Sequence, residues 1–209
     1  RRRRTNLLIE GVMYTKLHTE GIVLRARNVG EADRVFTIFT RDLGMVYAKG
    51  RGVRNLKSLQ RYALQPMSLI DVSFVRSKQG WRVTNVASKS SLFVLCGGNI
   101  AKRVFITRVC MLLKRLVVGE EPHIELFVSI RSAFDYVFEH DMSIDDLKTI
   151  EVLTALRVLH MLGYLKEGGV WDAFLLDTTK ITPTLISEVK KVRRQAVTEV
   201  NRALKETQL

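Results

Sequence analysis

The segment Glu20–Val29, EGIVLRARNV, decides how the first half of the chain is read. Ile22, Leu24 and Ala26 recur at every second position, while Arg25 and Arg27 share the opposite face with Val23. An apolar–polar alternation of period two is the pattern of a half-buried strand. Outward from it, NVGEAD supplies turn chemistry around Gly30, and RVFTIFT follows, rich in β-branched and aromatic residues. DLG makes a tight connection at Gly44 and leads into MVYAK. After the gap Gly50–Gln65, MSLIDVSFV places Ile70, Val72 and Phe74 on one face, and SKQG turns the chain into WRVTNVAS. Proline and glycine fall in the connections, and no helical period is present except over 57–64.

Five short strands with an insertion between the third and fourth have the layout of an OB-fold barrel, although other small barrels share the count. The second half changes period. Val104, Val109, Leu112, Leu113 and Leu116 recur at helical spacing after Asn99, and Gly119 and Pro122 punctuate the boundary with a helix over 124–138. Ser143 three residues before Asp146 predicts a capped helix running to Gly163. Thr182 followed by Pro183 predicts the start of a last helix. The expected class is therefore α+β: an N-terminal five-stranded OB-fold barrel over 13–90, followed by an all-α helical domain over 91–209. Residues 1–12, RRRRTNLLIEGV, lack the apolar core of a signal peptide and are expected to be an extension upstream of Met13.

Composition narrows the function. With 209 residues and 46% hydrophobic content, the chain can bury one or two cores. No apolar run reaches the roughly 20 residues of a membrane span, so a cytoplasmic location is the default expectation. The net charge is +13, and it is unevenly spread. Residues 13–90 hold 14 cations against five acids, whereas 91–209 hold 16 against 15. A basic half beside a nearly neutral one suggests that the first meets a polyanion. Catalytic patterns are missing: no P-loop, no G-x-S-x-G, no H-E-x-x-H. The two cysteines, Cys96 and Cys110, have no partner pair for a zinc ribbon, and the four histidines are scattered. No enzyme, metal or other cofactor is expected.

Three features could serve a nucleic acid. The segment YAKGRGVRNLKSLQRYALQP, Tyr47–Pro66, carries Lys49, Arg51, Arg54, Lys57 and Arg61 and no acid. It reads as a phosphate-holding loop or as a solvated basic surface. Arg25 and Arg27, with Arg34 at the next strand, read as backbone contacts or as ordinary outward charge. Tyr47, Tyr62 and Trp81 could stack bases, each stack worth roughly 1–3 kcal/mol, but such rings in a small barrel are more often core. The run Lys190, Lys191, Arg193 and Arg194 reads as a solvated helix face, and Asp145–Asp146 as favourable charges at a helix start.

These motifs form an ordered series that resembles the N-terminal domain of the bacterial DNA repair protein RecO family. It runs TEGIVL (Thr19–Leu24), then Gly30–Glu31 with Asp33–Arg34, Phe39–Thr40 with Gly44, and Ala48–Gly50 with Arg51 or Arg54. It ends with Ser58 and Leu64–Gln65–Pro66. GEEPHIELFVSI and LHMLGY continue the likeness more weakly. The resemblance implies a non-catalytic recombination mediator of the RecF-type pathway. Such a protein would bind single- and double-stranded DNA and anneal complementary strands. It would work with RecR and single-stranded DNA-binding protein to load RecA. Arg27, Arg34, Lys49, Arg51, Arg54, Lys57, Arg61, Tyr47 and Trp81 are then the candidate DNA-binding residues. Many members carry a four-cysteine zinc site after the LGY segment. Here LKEGGVWDAFLLDTTK follows with no cysteine, which implies a short, zinc-free form. The rival readings are an RNA-binding OB-fold protein and a non-catalytic adaptor.

Overall fold

The computed structural model of the chain describes residues 3–9, 12–165 and 168–207, with side chains from residue 16 onward. Six strands come first: β1 (Arg3–Ile9), β2 (Val12–Val29), β3 (Asp33–Thr40), β4 (Gly44–Gly50), β5 (Ser68–Ser77) and β6 (Gly80–Ser91). β2 lies antiparallel to both β3 and β5, β3 to β4, and β5 to β6. A short parallel pairing, Ala48 with Trp81 and Lys49 with Arg82, joins β4 to β6. The circuit β2–β3–β4–β6–β5 closes back on β2. The five expected strands therefore form a closed OB-fold barrel, and closure hides edges that would otherwise template association.

β1 adds to this frame within the segment expected to lie upstream of the fold. Lys16–His18 pair with β1 and with β5, while Gly21 and Ile22 pair with β3 and with β5. β1 and β3 thus follow one another along the same edge of β2, and β5 holds the other edge.

The alternation in Glu20–Val29 needs one correction. Register shifts between Val23 and Arg25, so Leu24 is a bulge residue. One extra residue inverts the phase of the strand. Val23 and Ala26 join the barrel core with Phe36, Ile38, Val46, Phe74 and Val83. Ile22 pairs with Phe39, one position out of phase with Val23 and Ile38, and so lies on the other face. Arg25 and Arg27 point outward, as expected, without Val23 beside them.

Gly44 opens β4 at φ +66, a left-handed conformation that favours glycine. A Cβ there would run into the Glu121 carbonyl and come within 2.9 Å of the Gly119 carbonyl oxygen. The next residue, Met45, donates its N–H to that Gly119 oxygen at 2.9 Å. The segment Val118–His123 therefore packs on the β3–β4 turn. By contacts the chain forms two compact units: one runs to Leu95 and takes in Val118–His123, and the other comprises Cys96–Val117 and the chain from Ile124 onward.

The second unit is built on α3 (Ile100–Leu116), α4 (Ile124–Glu139), α5 (Ile144–Met161) and α6 (Pro183–Glu206). Two four-residue helices, α1 (Gln60–Ala63) and α2 (Leu92–Leu95), belong to the barrel unit. The predicted caps are present. Ser143 Oγ accepts from Asp146 N–H and Thr182 Oγ1 from Leu185 N–H, both at 3.1 Å. Phe105 and Phe134 meet edge to face at 6.0 Å within a core that includes Leu113, Ile130, Val137, Leu156 and Val189. The α6 basic run is not simply a solvated face. Lys190 pairs with Asp146 at 2.5 Å and Asp145 at 3.1 Å, and Arg193 reaches Asp145 at 2.5 Å. These contacts hold both carboxyls below the ordinary range, chiefly through Arg193 at Asp145 and Lys190 at Asp146.

Arg157 on α5 is only 2% exposed. Its guanidinium donates to the carbonyls of Phe174 (3.3 Å), Asp177 (2.7 Å), Thr178 (3.1 Å) and Lys180 (2.9 Å). Burial pushes its pKa down to about 10, so it stays charged at neutrality. One side chain thus gathers the connection that follows the LGY segment.

Candidate nucleic-acid interface

Residues directly opposite one another in paired strands share a face. Register therefore builds the outer surface of β2–β3–β4 in rows. One row is Arg25, Thr37 and Tyr47; the next is Arg27, Val35 and Lys49, extended onto β6 by Arg82. Arg25, Arg27, Val35, Thr37 and Tyr47 line a groove of about 230 Å³. Both arginines are exposed, and Tyr47 is 61% exposed. Neither arginine has a carboxylate within ion-pair distance among the described residues. A shallow groove with two free guanidinium groups and an open aromatic face can hold a phosphate backbone and stack a base.

The adjoining loop is anchored rather than loose. Gly52, at φ +63, donates its N–H to Asp33 Oδ1 at 2.9 Å, and Lys49 Nζ lies 3.0 Å from Asp33 Oδ2. The Gly52 N–H and then Lys49 hold the Asp33 carboxyl below its ordinary range. Gly50 leaves no room for a side chain, because a Cβ would sit 2.8 Å from Phe36 and 2.9 Å from Val53. Val53 itself plugs the core. Arg54 donates its N–H to the Ala32 carbonyl and a guanidinium N–H to the Gly30 carbonyl, each at 3.0 Å. Ala63 and Leu64 are buried at the far end.

The candidate residues therefore divide. Arg27 and Tyr47 meet in the groove with Arg25. Arg51 and Lys57 are exposed and have no ion-pair partner among the described residues. Arg61 lies over the ring of Tyr62, 5.9 Å from its centre. Lys49 is paired with Asp33, Arg54 is tied to the β2–β3 turn, and Arg34 donates to Asn28 Oδ1 at 2.9 Å. Trp81 is placed elsewhere: it is 7% exposed, and its ring meets Phe74 at 6.1 Å in the core. A base could not stack on it without displacing that packing. Arg82 was not singled out from sequence. Its position between inward Trp81 and Val83 carried the signal, but its neighbour Lys49 is set only by the barrel closure.

Both thiols are buried, and desolvation raises their pKa values, that of Cys110 to about 12. Among the described residues no cluster of three or more His, Cys, Asp or Glu is placed to hold a metal. No described helix is long and apolar enough to cross a membrane.

Residues 13–91 match the family described as Recombination protein O N terminal. A DNA repair protein RecO of Desulfitobacterium hafniense is 29% identical over 147 residues, which cover 70% of this chain and 52% of that protein. The RecO of Thermobifida fusca is 46% identical over 67 residues, 32% of this chain and 28% of its own. That of Anaeromyxobacter sp. (strain Fw109-5) is 35% identical over 116 residues, 54% and 45% respectively. The chain spans about half the length, or less, of these curated relatives.

Proposed function

We propose that this chain, whose residues 13–91 match the family described as Recombination protein O N terminal, is a RecO-family protein: a non-catalytic DNA-binding mediator of DNA repair that anneals complementary single strands. The observation that carries this reading is the groove of Arg25, Arg27 and Tyr47 on the outer barrel face, together with the exposed cations Arg51 and Lys57. Complementary strands repel through their phosphates. A surface that neutralises both lowers that barrier without covalent chemistry. Backbone contacts and stacking read no sequence, so the preference among sequences is weak. Double-stranded DNA binds the same cations through phosphate alone. The near-neutral helical unit is then free for protein partners: RecR and single-stranded DNA-binding protein, and through them the loading of RecA. The place of action is the cytoplasm, at the nucleoid.

The test is an annealing assay on complementary oligonucleotides, bare and coated with single-stranded DNA-binding protein, with matched RNA as competitor. Faster annealing in both forms, resistant to RNA, is the expected result. No binding to DNA at low salt, or displacement by RNA at equal concentration, would overturn the reading.

A further inference from the structure

The anchored loop carries an apolar ridge that phosphate binding leaves unused. Leu56 is 83% exposed, Leu59 86% and Tyr62 70%. Large apolar side chains so open are ordinary when single; three at intervals of three are not explained by chance exposure. The backbone sets the interval. Asn55 N–H bonds to the Gly52 carbonyl, Ser58 to Asn55 and Arg61 to Ser58, at 3.0–3.2 Å. Leu56 and Leu59 occupy the second position of the second and third of these turns, and Tyr62 follows at the same interval in α1. Val53, at the same position of the first turn, is buried in the core and fixes the base of the ridge.

Charge says what the ridge meets. From Gly50 to Ile70 the chain holds Arg51, Arg54, Lys57 and Arg61 and no carboxylate. An apolar edge framed by cations fits a ligand that is a polyanion outside and apolar within. A nucleic acid strand is such a ligand, with phosphates on one side and base faces on the other. Arg61 already lies over the Tyr62 ring, so that ring has one face taken by a guanidinium.

We propose that Leu56, Leu59 and Tyr62 form a wedge that inserts between neighbouring bases of a bound single strand and holds them unstacked while Lys57 and Arg61 hold the flanking phosphates. Apolar side chains used in this way unstack base steps in other nucleic-acid complexes. The wedge rests on the proposed DNA-binding role and adds to it: a strand held unstacked offers its pairing edges to a complement and cannot fold on itself.

The test uses the full chain and a single-stranded oligonucleotide with 2-aminopurine between adenines, a base whose emission rises when it is unstacked. Leu56→Ser, Leu59→Ser and Tyr62→Ser are combined; all three positions are exposed, so the fold is retained. The native chain raises the emission at saturation. The triple variant still binds by anisotropy with an unchanged salt dependence, loses at least fivefold in affinity (the low end for one base–aromatic contact) and gives no rise. Equal emission for both proteins at saturation overturns the wedge while leaving DNA binding intact. Absence of any binding by the native chain overturns the DNA-binding role itself, and the wedge with it. Sedimentation with phosphatidylserine-containing vesicles that the triple variant abolishes, with no emission change on DNA, assigns the ridge to a membrane surface and also overturns the wedge.

Discussion

Replacing Arg25 and Arg27 together by Gln tests the groove most directly. Both guanidinium groups lie on the outer face of β2, line the groove with Tyr47 and have no carboxylate partner among the described residues. Each free cation that neutralises a single-strand phosphate contributes about 0.7 to the slope of log affinity against log salt. The double variant should therefore lose about 1.4 from that slope. Between about 50 and 200 mM salt, a fourfold change, its deficit against the native chain should shrink about sevenfold. Lys49→Gln is the internal control. Lys49 sits in the same cross-strand row as Arg27, yet its charge is already met by Asp33 at 3.0 Å, so its loss should leave the slope nearly unchanged. In the loop, replacing Arg54, Lys57 and Arg61 together should remove about 2.1, because the neutral Gly30 carbonyl leaves the Arg54 charge unmet. Anisotropy of labelled oligothymidylate, which does not fold, reads every slope. An unchanged slope for the Arg25/Arg27 variant, or an equal flattening by Lys49→Gln, would refute the assignment of the DNA path to this groove.

Three further outcomes follow from the packing. Arg157→Met removes the donor of four carbonyls in the connection after α5 and should cost about 3–5 kcal/mol, read by urea denaturation, with early proteolysis at 168–180. Gly44→Ala combines a left-handed backbone with a clash against the Glu121 and Gly119 carbonyls; a loss of about 2–5 kcal/mol in the same assay is expected, and a loss below about 1 would show that the turn can shift. Asp33→Asn weakens the loop anchor in a pH-dependent way. The folded carboxyl is depressed from its ordinary 3.8, so its stabilisation is full above that value and vanishes as pH falls through the folded value. The difference in urea midpoint between native and Asp33→Asn chains should be constant from neutrality to about pH 5 and close below about pH 4.

The elements were legible in the sequence wherever period and capping act locally. The five barrel strands and the four long helices lie where alternation and helical spacing place them. Ser143 and Thr182 cap as their neighbours predict. What escaped depends on contacts between distant residues. A bulge at Leu24 has no compositional mark, so the phase inversion between Val23 and Arg25 could be seen only against β3. The five cations of Tyr47–Pro66 look equivalent in sequence. Asp33, outside that stretch, takes Lys49, and the Gly30 carbonyl takes Arg54. Trp81 packed edge-on against Phe74 shows the same limit: aromatic character is local, but which side of the barrel wall a ring occupies is not. Arg25 became a groove residue only when register set it beside Thr37 and Tyr47.

The return of Val118–His123 to the β3–β4 turn makes the barrel discontinuous in the gene. The polypeptide crosses between the two units three times, after Leu95, Val117 and His123. No single scission can separate them cleanly. A fragment stopped at Leu95 would lack the Gly119 carbonyl and leave the Met45 N–H without its acceptor beside a glycine shaped to receive that segment. An autonomous barrel for DNA-binding work must instead be made by excising Cys96–Val117, linking Leu95 to Val118 and ending the chain after His123.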